Sequence, residues 1–334
     1  VIQSYQHFTT DGIPESGLEL EENFRLGYDP EVLRAFIETF KFKIQIGLFE
    51  VRVLTENRNY AYALTRYQDS DTTPEVGTAF VRSFTIRSQL FQLALWMVKD
   101  NSCNTSAAFL AIREKGGQLQ YISDRTNVIY FNTECRFAET HFTEAELKRA
   151  IEFFHHFDRV IPKVVQNVAD TQRSALTHDS RIGRSLFFVQ AGRAQNEIGL
   201  KSAFYSMAFE SLFSTDTTGV NHRVAERAAL FITDPGGQKR RDVYRDVHDL
   251  YNFRSLVVHG SPIKGKDLEK LLGLVKRCDE HLRETFTKIT EDTTLAALFS
   301  KHDPDAVREH FFERLFPLDS HGISFGEPPA TSSG

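Results

Sequence analysis

The chain has 334 residues, 41% of them hydrophobic and 25% charged, with a formal net charge of -5. That length and composition describe a globular protein with room for two domains and two cores, and the acidic balance excludes a generally basic nucleic-acid coat while leaving room for a local basic patch. Cys103, Cys135 and Cys278 form no CxxC pair and are too scattered for a disulfide framework, and no apolar run approaches the ~18 residues of a membrane span, so a cytoplasmic protein with no membrane partner is expected.

Residues 1–30 mix Gly12, Pro14, Gly17, Gly27 and Pro30 with the acidic cluster Glu19-Leu20-Glu21-Glu22, which predicts an extended, loosely packed lead-in. Val32, Leu33, Phe36, Ile37 and Phe40 then follow helical spacing, and residues 41–48 switch to strict alternation, the signature of a helix leading into a strand. Residues 50–54 and 60–64, separated by Asn57-Arg58-Asn59, predict a hairpin. Residues 80–86 fit either another strand or the beginning of the helix that carries Leu90, Leu93, Ala94 and Met97. Short strands are expected over 108–112, 120–123 and 128–131, with a turn at Gly116-Gly117. The sum is a mixed α/β domain over residues 31–165. It ends in a helix opened by the capping box of Thr143 and Glu146 and expected to bridge the two halves. The polar stretch 170–184 reads as a hinge or loop.

Residues 184–316 are helical throughout, which makes the chain α+β overall. Leu268, Leu271, Leu272, Val275, Cys278, Leu282, Phe286 and Ile289 form an amphipathic stripe. Two short helices follow over 295–299 and 307–316, the second started by Asp303-Pro304. The composition of residues 317–334, ending Pro-Pro-Ala-Thr-Ser-Ser-Gly, predicts a disordered tail.

One decapeptide stands out: Tyr251-Asn252-Phe253-Arg254-Ser255-Leu256-Val257-Val258-His259-Gly260. Val243, Val247, Leu250, Tyr251 and Val258 share one helical face at about 100° per residue, with Arg254 near its middle. A charge on a core stripe must be paired or must face a partner or ligand. The ordinary explanation is an arginine snorkelling from a helix edge, followed by a last-turn histidine before a Gly260 cap.

Arg254-x4-His259 followed by glycine resembles the catalytic signature of the HEPN superfamily of helical nucleotide-binding domains and ribonucleases, in particular its Apea-like branch. The likeness extends to 201–213, similar to the family's first long helix with Glu210 just before a hydrophobic pair, and to 220–232 with the Gly236-Gly237 break, similar to its second helix. Many members carry Asn, Asp or His directly after the arginine, where this chain has Ser255. The resemblance implies an all-α HEPN bundle over 184–316, with Arg254 and His259 catalytic and Glu210, Asn252 and Ser255 supporting. It also implies a homodimer with a composite site, in a prokaryotic defence or toxin setting. The N-terminal domain would sense a trigger or regulatory partner.

The chemistry such a pair can perform follows from the residue types. RNA carries its own nucleophile, the 2′-hydroxyl; an imidazole can move a proton near neutral pH, and a guanidinium can hold the phosphate oxygens as charge builds. That reaction uses no cofactor and no metal, and it leaves a 2′,3′-cyclic phosphate. Five helical residues nevertheless set Arg254 and His259 about 140° apart. Either the helix unwinds at His259-Gly260, or two copies meet across a dimer.

Other motifs carry less. Gly260 to Asp267 nearly spells a phosphate-binding loop, but Asp267 replaces the required Ser or Thr and a helix precedes it. His155-His156 and the pair His302 and His310 lack a third metal ligand at a recognisable spacing. The 29 phenylalanines mostly occupy helical or strand faces that need a core. Lys239, Arg240, Arg241 and Arg245 are either a solvated face balanced by Asp242, Asp246 and Asp249 or a patch that tracks an RNA backbone. Three functions stay open: an HEPN ribonuclease, a non-catalytic RNA- or nucleotide-binding HEPN module, and an interaction protein in which Arg254 pairs with Glu210 to hold the bundle.

Overall fold

The first thirty residues are part of the core, contrary to the lead-in expected of them. The structure, a computed structural model, describes residues 1–57, 59–66, 74–114, 116–160, 180–216, 219–234, 237–262 and 264–316. Residues 1–30 supply strands β1 (Ile2–Gln6), β2 (Phe8–Thr10), β3 (Leu18–Glu21) and β4 (Phe24–Gly27). β1 lies inside the main sheet with Ile2 and Tyr5 fully buried. Its alternation is hidden in the sequence because Gln3 and Ser4 are polar yet also buried. The Gln3 amide donates to the Ser106 carbonyl at 2.6 Å, and the Ser4 backbone N–H donates to Ser106 Oγ at 3.0 Å. Hydrogen bonds of this kind let polar residues occupy a core strand, although Gln3 Oε1 is left without a partner among the described residues.

The remaining strands are β5 (Asn59–Tyr62), β6 (Asn104–Thr105), β7 (Ala108–Arg113), β8 (Leu119–Asp124) and β9 (Thr140–Phe142). The main sheet runs β3-β4-β5-β1-β7-β8 in antiparallel pairs, with β6 also on β1, while β2 and β9 form a separate parallel pair. The strands expected over 108–112 and 120–123 are present as β7 and β8. Residues 128–131 form no strand; Tyr130 and Phe131 donate their N–H groups to Asn104 Oδ1 and the Arg193 carbonyl instead.

Helices α1 (Pro30–Thr39), α2 (Phe42–Gln45) and α3 (Leu48–Glu56) cover one face of the sheet, burying Leu33, Ile37, Phe42, Val51 and Leu54 against Ile2, Tyr60 and Phe109. The expected strand over 41–48 and hairpin over 50–64 are therefore absent, and β5 pairs with β1 and β4. The alternation misleads because Ile44 and Leu48 point to solvent. Lys41 and Gly47 also take positive φ, which breaks an extended strand.

The opposite face is covered by α4 (Pro74–Val98), a single helix that absorbs the ambiguous 80–86 segment. α5 (Glu144–Val160) packs against it behind the expected capping box: the Thr143 N–H donates to Glu146 Oε2 at 2.9 Å, and the Glu146 N–H to Thr143 Oγ1 at 3.3 Å. Arg149 of α5 pairs with Glu291 in the second half, as a bridging helix requires.

The second half is a helical array of α6 (Arg181–Arg193), α7 (Ile198–Phe213), α8 (Val220–Ile232), α9 (Gln238–Val258), α10 (Gly265–Glu291), α11 (Thr293–Phe299) and α12 (Pro304–Leu315). α9 packs on α7, α8 and α10. Of the hinge expected over 170–184, residues 170–179 lie outside the described residues, and 181–184 begin α6 behind an Ser180 cap. The tail 317–334 also lies outside them. In the α10 stripe, Leu268 is exposed and Leu274 takes a core place.

The two halves do not keep separate cores. One cluster runs from Tyr5, Phe24 and Phe91 through Trp96 to Phe209, Leu250 and Phe311. At the junction, fully buried Asp279 of α10 accepts from the Trp96 indole (2.9 Å), the Tyr205 hydroxyl (2.8 Å) and Arg283 Nε (3.0 Å). Arg193 lies 4.5 Å from the Tyr130 ring centroid, and buried Lys201 donates to the Phe131 carbonyl at 3.2 Å. The far end of α7 is also held: Arg181 Nη1 donates to the carbonyls of Ser211, Leu212 and Ser214, and Arg227 Nη1 to that of Phe213.

Replacing Asp279 by alanine leaves the buried Trp96 and Tyr205 donors and the partly buried Arg283 without this acceptor, at an expected cost of about 3–5 kcal/mol. Trp96 is the only tryptophan, so urea unfolding followed by its emission reports this junction directly. An unchanged midpoint for Asp279→Ala would mean that the carboxylate does not join the halves.

Candidate active site on helix α9

Val243, Val247, Leu250 and Phe253 are buried along one side of α9 and fix its rotation in the bundle. Tyr251 and Val258 were expected on that stripe; Tyr251 is half-buried and Val258 is exposed, because the last turn of α9 leaves the core. Arg254 stays on the core side at this edge, its side chain 25% exposed. Its Nη1 sits 3.7 Å from Glu210 Oε1 on α7 and donates to the Tyr251 hydroxyl at 3.3 Å, and its Cζ lies 5.1 Å from the Tyr251 ring centroid. Nε is buried and has no hydrogen-bond partner.

The distance to Arg254 would by itself favour an ionised Glu210. Burial nevertheless pushes the Glu210 carboxyl above its ordinary range, against the pull of Arg254 and of a hydrogen bond from Tyr251. The geometry explains the balance: an ion contact of 3.7 Å without a hydrogen bond is too weak to offset desolvation.

α9 ends in a Schellman motif. His259 is the C-cap, and Gly260 takes φ +69°. The Gly260 N–H donates to the Val257 carbonyl at 3.1 Å and the Ser261 N–H to that of Leu256 at 2.9 Å. Nothing crowds Gly260, so the backbone angle, which glycine adopts without strain, is the reason for this residue type. His259 is exposed and Arg254 faces α7; among the described residues the two side chains share no hydrogen bond. One chain does not assemble the pair.

The other expected site residues separate. Exposed Asn252 places Nδ2 3.4 Å from His248 Nδ1, away from Arg254, and Ser255 offers its backbone carbonyl to the His259 N–H at 3.1 Å. Lys239 pairs with Glu284 at 3.0 Å, and Arg240 donates to Thr233 Oγ1 at 3.2 Å. Arg241 and Arg245 are exposed, with Arg245 only loosely paired to Asp242 at 3.8 Å. Among the described residues no three His, Cys, Asp or Glu side chains form a group that could hold a metal ion, and no helix is long and apolar enough to cross a membrane.

No family model, characterised protein or solved structure matches the chain.

Two features escaped the sequence. Tyr251, three residues before Arg254, carries its guanidinium on the ring, a placement that helical spacing could have signalled. Asp246 is buried and accepts from Arg277 Nε at 3.0 Å and Nη2 at 2.9 Å, with His281 Nε2 at 3.1 Å. Burial works against its ionisation, but the bonds from His281 and Arg277 win and hold its pKa below the ordinary value. Its partners lie a full helix away in sequence and leave no local signal.

The raised Glu210 pKa has a definite stability signature. A carboxyl that binds its proton more tightly when folded contributes stability that is fully present below its ordinary value of 4.5 and is lost as pH rises through the folded value. Relative to Glu210→Gln, the wild-type chain should therefore be less stable at pH 7 than at pH 4, as read from paired urea titrations. A difference that does not vary with pH removes the buried-carboxyl assignment.

Proposed function

We propose that this protein is an HEPN-type endoribonuclease of the cytoplasm, acting without a metal, in which Arg254 of one protomer and His259 of a second line one RNA site. The observation that carries this reading is the placement of both groups at the exposed end of α9. Arg254 is pre-oriented by Glu210 and Tyr251, while His259 stands free of the helix on a glycine-closed cap. A guanidinium bonded to Tyr251 beside a carboxyl is a positioned cation that can donate to phosphate oxygens. An exposed imidazole can take the 2′-hydroxyl proton or return one to the leaving 5′-oxygen.

Geometry and the surrounding surface support the proposed dimer. The two side chains face different directions within one chain, and Leu256 and Val258 are exposed beside them. A second copy docked on this apolar end would bring one arginine to the other histidine and cover those side chains. The sheet-bearing half is the candidate receiver of a trigger, because it shares a continuous core with the bundle. A defence or toxin role would use that restraint.

A structural reading has one observation in its favour, the contact between Arg254 and Glu210 across α7 and α9. Mutagenesis separates the two. Arg254→Ala and His259→Ala should each lower cleavage of mixed RNA in EDTA by about 10²–10⁴-fold, with helical circular dichroism retained and 2′,3′-cyclic phosphate ends on the wild-type product. Light scattering at micromolar concentration should report a dimer. Wild-type cleavage by both variants sinks the assignment; unfolding of both, with no cleavage by any form, leaves the structural reading.

A further inference from the structure

α9 carries a second polar feature, on the side opposite the buried Val243, Val247 and Leu250, with the Tyr244 ring partly buried against the core at one edge. At about 100° per residue, Arg241, Tyr244, His248, Asn252, Ser255 and His259 fall within an arc of roughly 80°. The side chains are organised as well as aligned. The Tyr244 and His248 rings stack with centroids 5.8 Å apart and planes 19° apart. His222 of α8 brings its Nδ1 to 2.8 Å from the Tyr244 hydroxyl and packs edge-on to that ring at 5.7 Å. Asn252 lies against His248 Nδ1, as described above.

Charge is sorted around the helix in the same sense. Arg241 lies on the stripe and Arg245 at its margin, both exposed. Two carboxylates of α9 are matched by cations off the stripe: Asp246 is buried with Arg277 and His281, and Asp249 Oδ2 is engaged by Lys270 at 3.3 Å. Two carboxylates stay near, Asp242 at 3.8 Å from Arg245 and Asp249 Oδ1 at 3.9 Å from His248 Nδ1. On a chain with a net charge of -5, this is a local cationic and aromatic track. It is about 27 Å long and ends at His259.

We propose that this stripe is a single-stranded RNA subsite, with Tyr244 and His248 as the base-stacking platform, Arg241 and Arg245 on the backbone phosphates, and Asn252 at a base edge, leading the strand to His259. The inference deepens the ribonuclease reading and rests on it for the direction of the strand. Flat side chains that present a π-face beside cations suit unpaired bases, whereas a duplex hides those faces. A protein partner would be expected to meet exposed aliphatic side chains, and on this helix those lie at Leu256 and Val258, off the stripe.

The test uses the full chain with His259→Ala, which prevents turnover, and a short fluorescent single-stranded RNA of mixed sequence read by anisotropy. Adding Tyr244→Ala and His248→Ala together should raise the dissociation constant roughly 10–100-fold, and Tyr244→Phe with His248→Phe should restore most of the affinity. Adding Arg241→Ala and Arg245→Ala should flatten the dependence of log K on log salt by about 1.4, near 0.7 per phosphate contact on a single strand. Lys239→Ala with Arg240→Ala removes the same charge off the stripe and should change binding much less. Duplex RNA should bind more weakly than the single strand.

Equal affinities for the parent and the Tyr244/His248 pair, equal losses for the two basic pairs, or no binding by the parent would each overturn the subsite. In the wild-type background the stripe pair should raise KM far more than it lowers kcat. Binding that depends on the stripe in a chain that never cleaves supports the subsite while the ribonuclease reading fails. Cleavage with KM untouched by the stripe variants does the reverse.

Discussion

A carboxylate taken completely out of water has to be answered by donors, and the arrangement of this protein turns on how Asp279 is answered. Its three donors come from α4, α7 and α10 itself, so one buried acidic side chain locks the helix beneath the sheet to two helices of the bundle. The neighbouring Arg193 and Lys201 reach back to the 130–131 segment. Burial lowers the Lys201 pKa to about 8, the cost of holding a second charge in the same seam. A seam stitched by directional bonds holds one relative placement of the sheet and the bundle, which apolar contact alone would leave freer to slide.

That seam also explains why the α+β class could be read from the sequence while the division into two cored domains could not. Composition and period report that α4 is apolar; they do not report that its several faces serve different layers. The helical half was the more legible because each helix shows one polar face to water. The bounds of α8 coincide with the 220–232 stretch that the resemblance singled out, and the Asp303-Pro304 start of α12 follows from cap chemistry. β1 was concealed for the opposite reason, since its polar residues Gln3 and Ser4 are buried and bonded to Ser106 inside the protein and so imitate a surface segment.

At the candidate site, the pairing of Arg254 with Glu210 was accessible to sequence reasoning because a charge on an apolar stripe demands an answer. The sorting of the basic residues was not. Lys239 and Arg240 are claimed by Glu284 and Thr233, partners on other helices that no local pattern announces, while Arg241 and Arg245 are left facing solvent. A run of like charges in sequence therefore becomes two unlike pairs once helix rotation is fixed by Val243, Val247 and Leu250.

The arginines at the far end of α7 bear on the site from a distance. Aligned peptide units leave partial negative charge at a helix C-terminus, and Glu210 lies in that last turn. Its carboxylate thus opposes a macrodipole as well as its own burial. Arg181 and Arg227 deliver positive charge to the same carbonyls, and Arg181 does so at its own expense: burial and repulsion from Arg184 and Arg227 lower its pKa to about 10. The two guanidiniums act as counterions to the helix end. The charge at the end of the helix that carries Glu210 is therefore balanced from α6 and α8, so the electrostatic surroundings of the candidate site extend beyond the residues that would touch a nucleic acid.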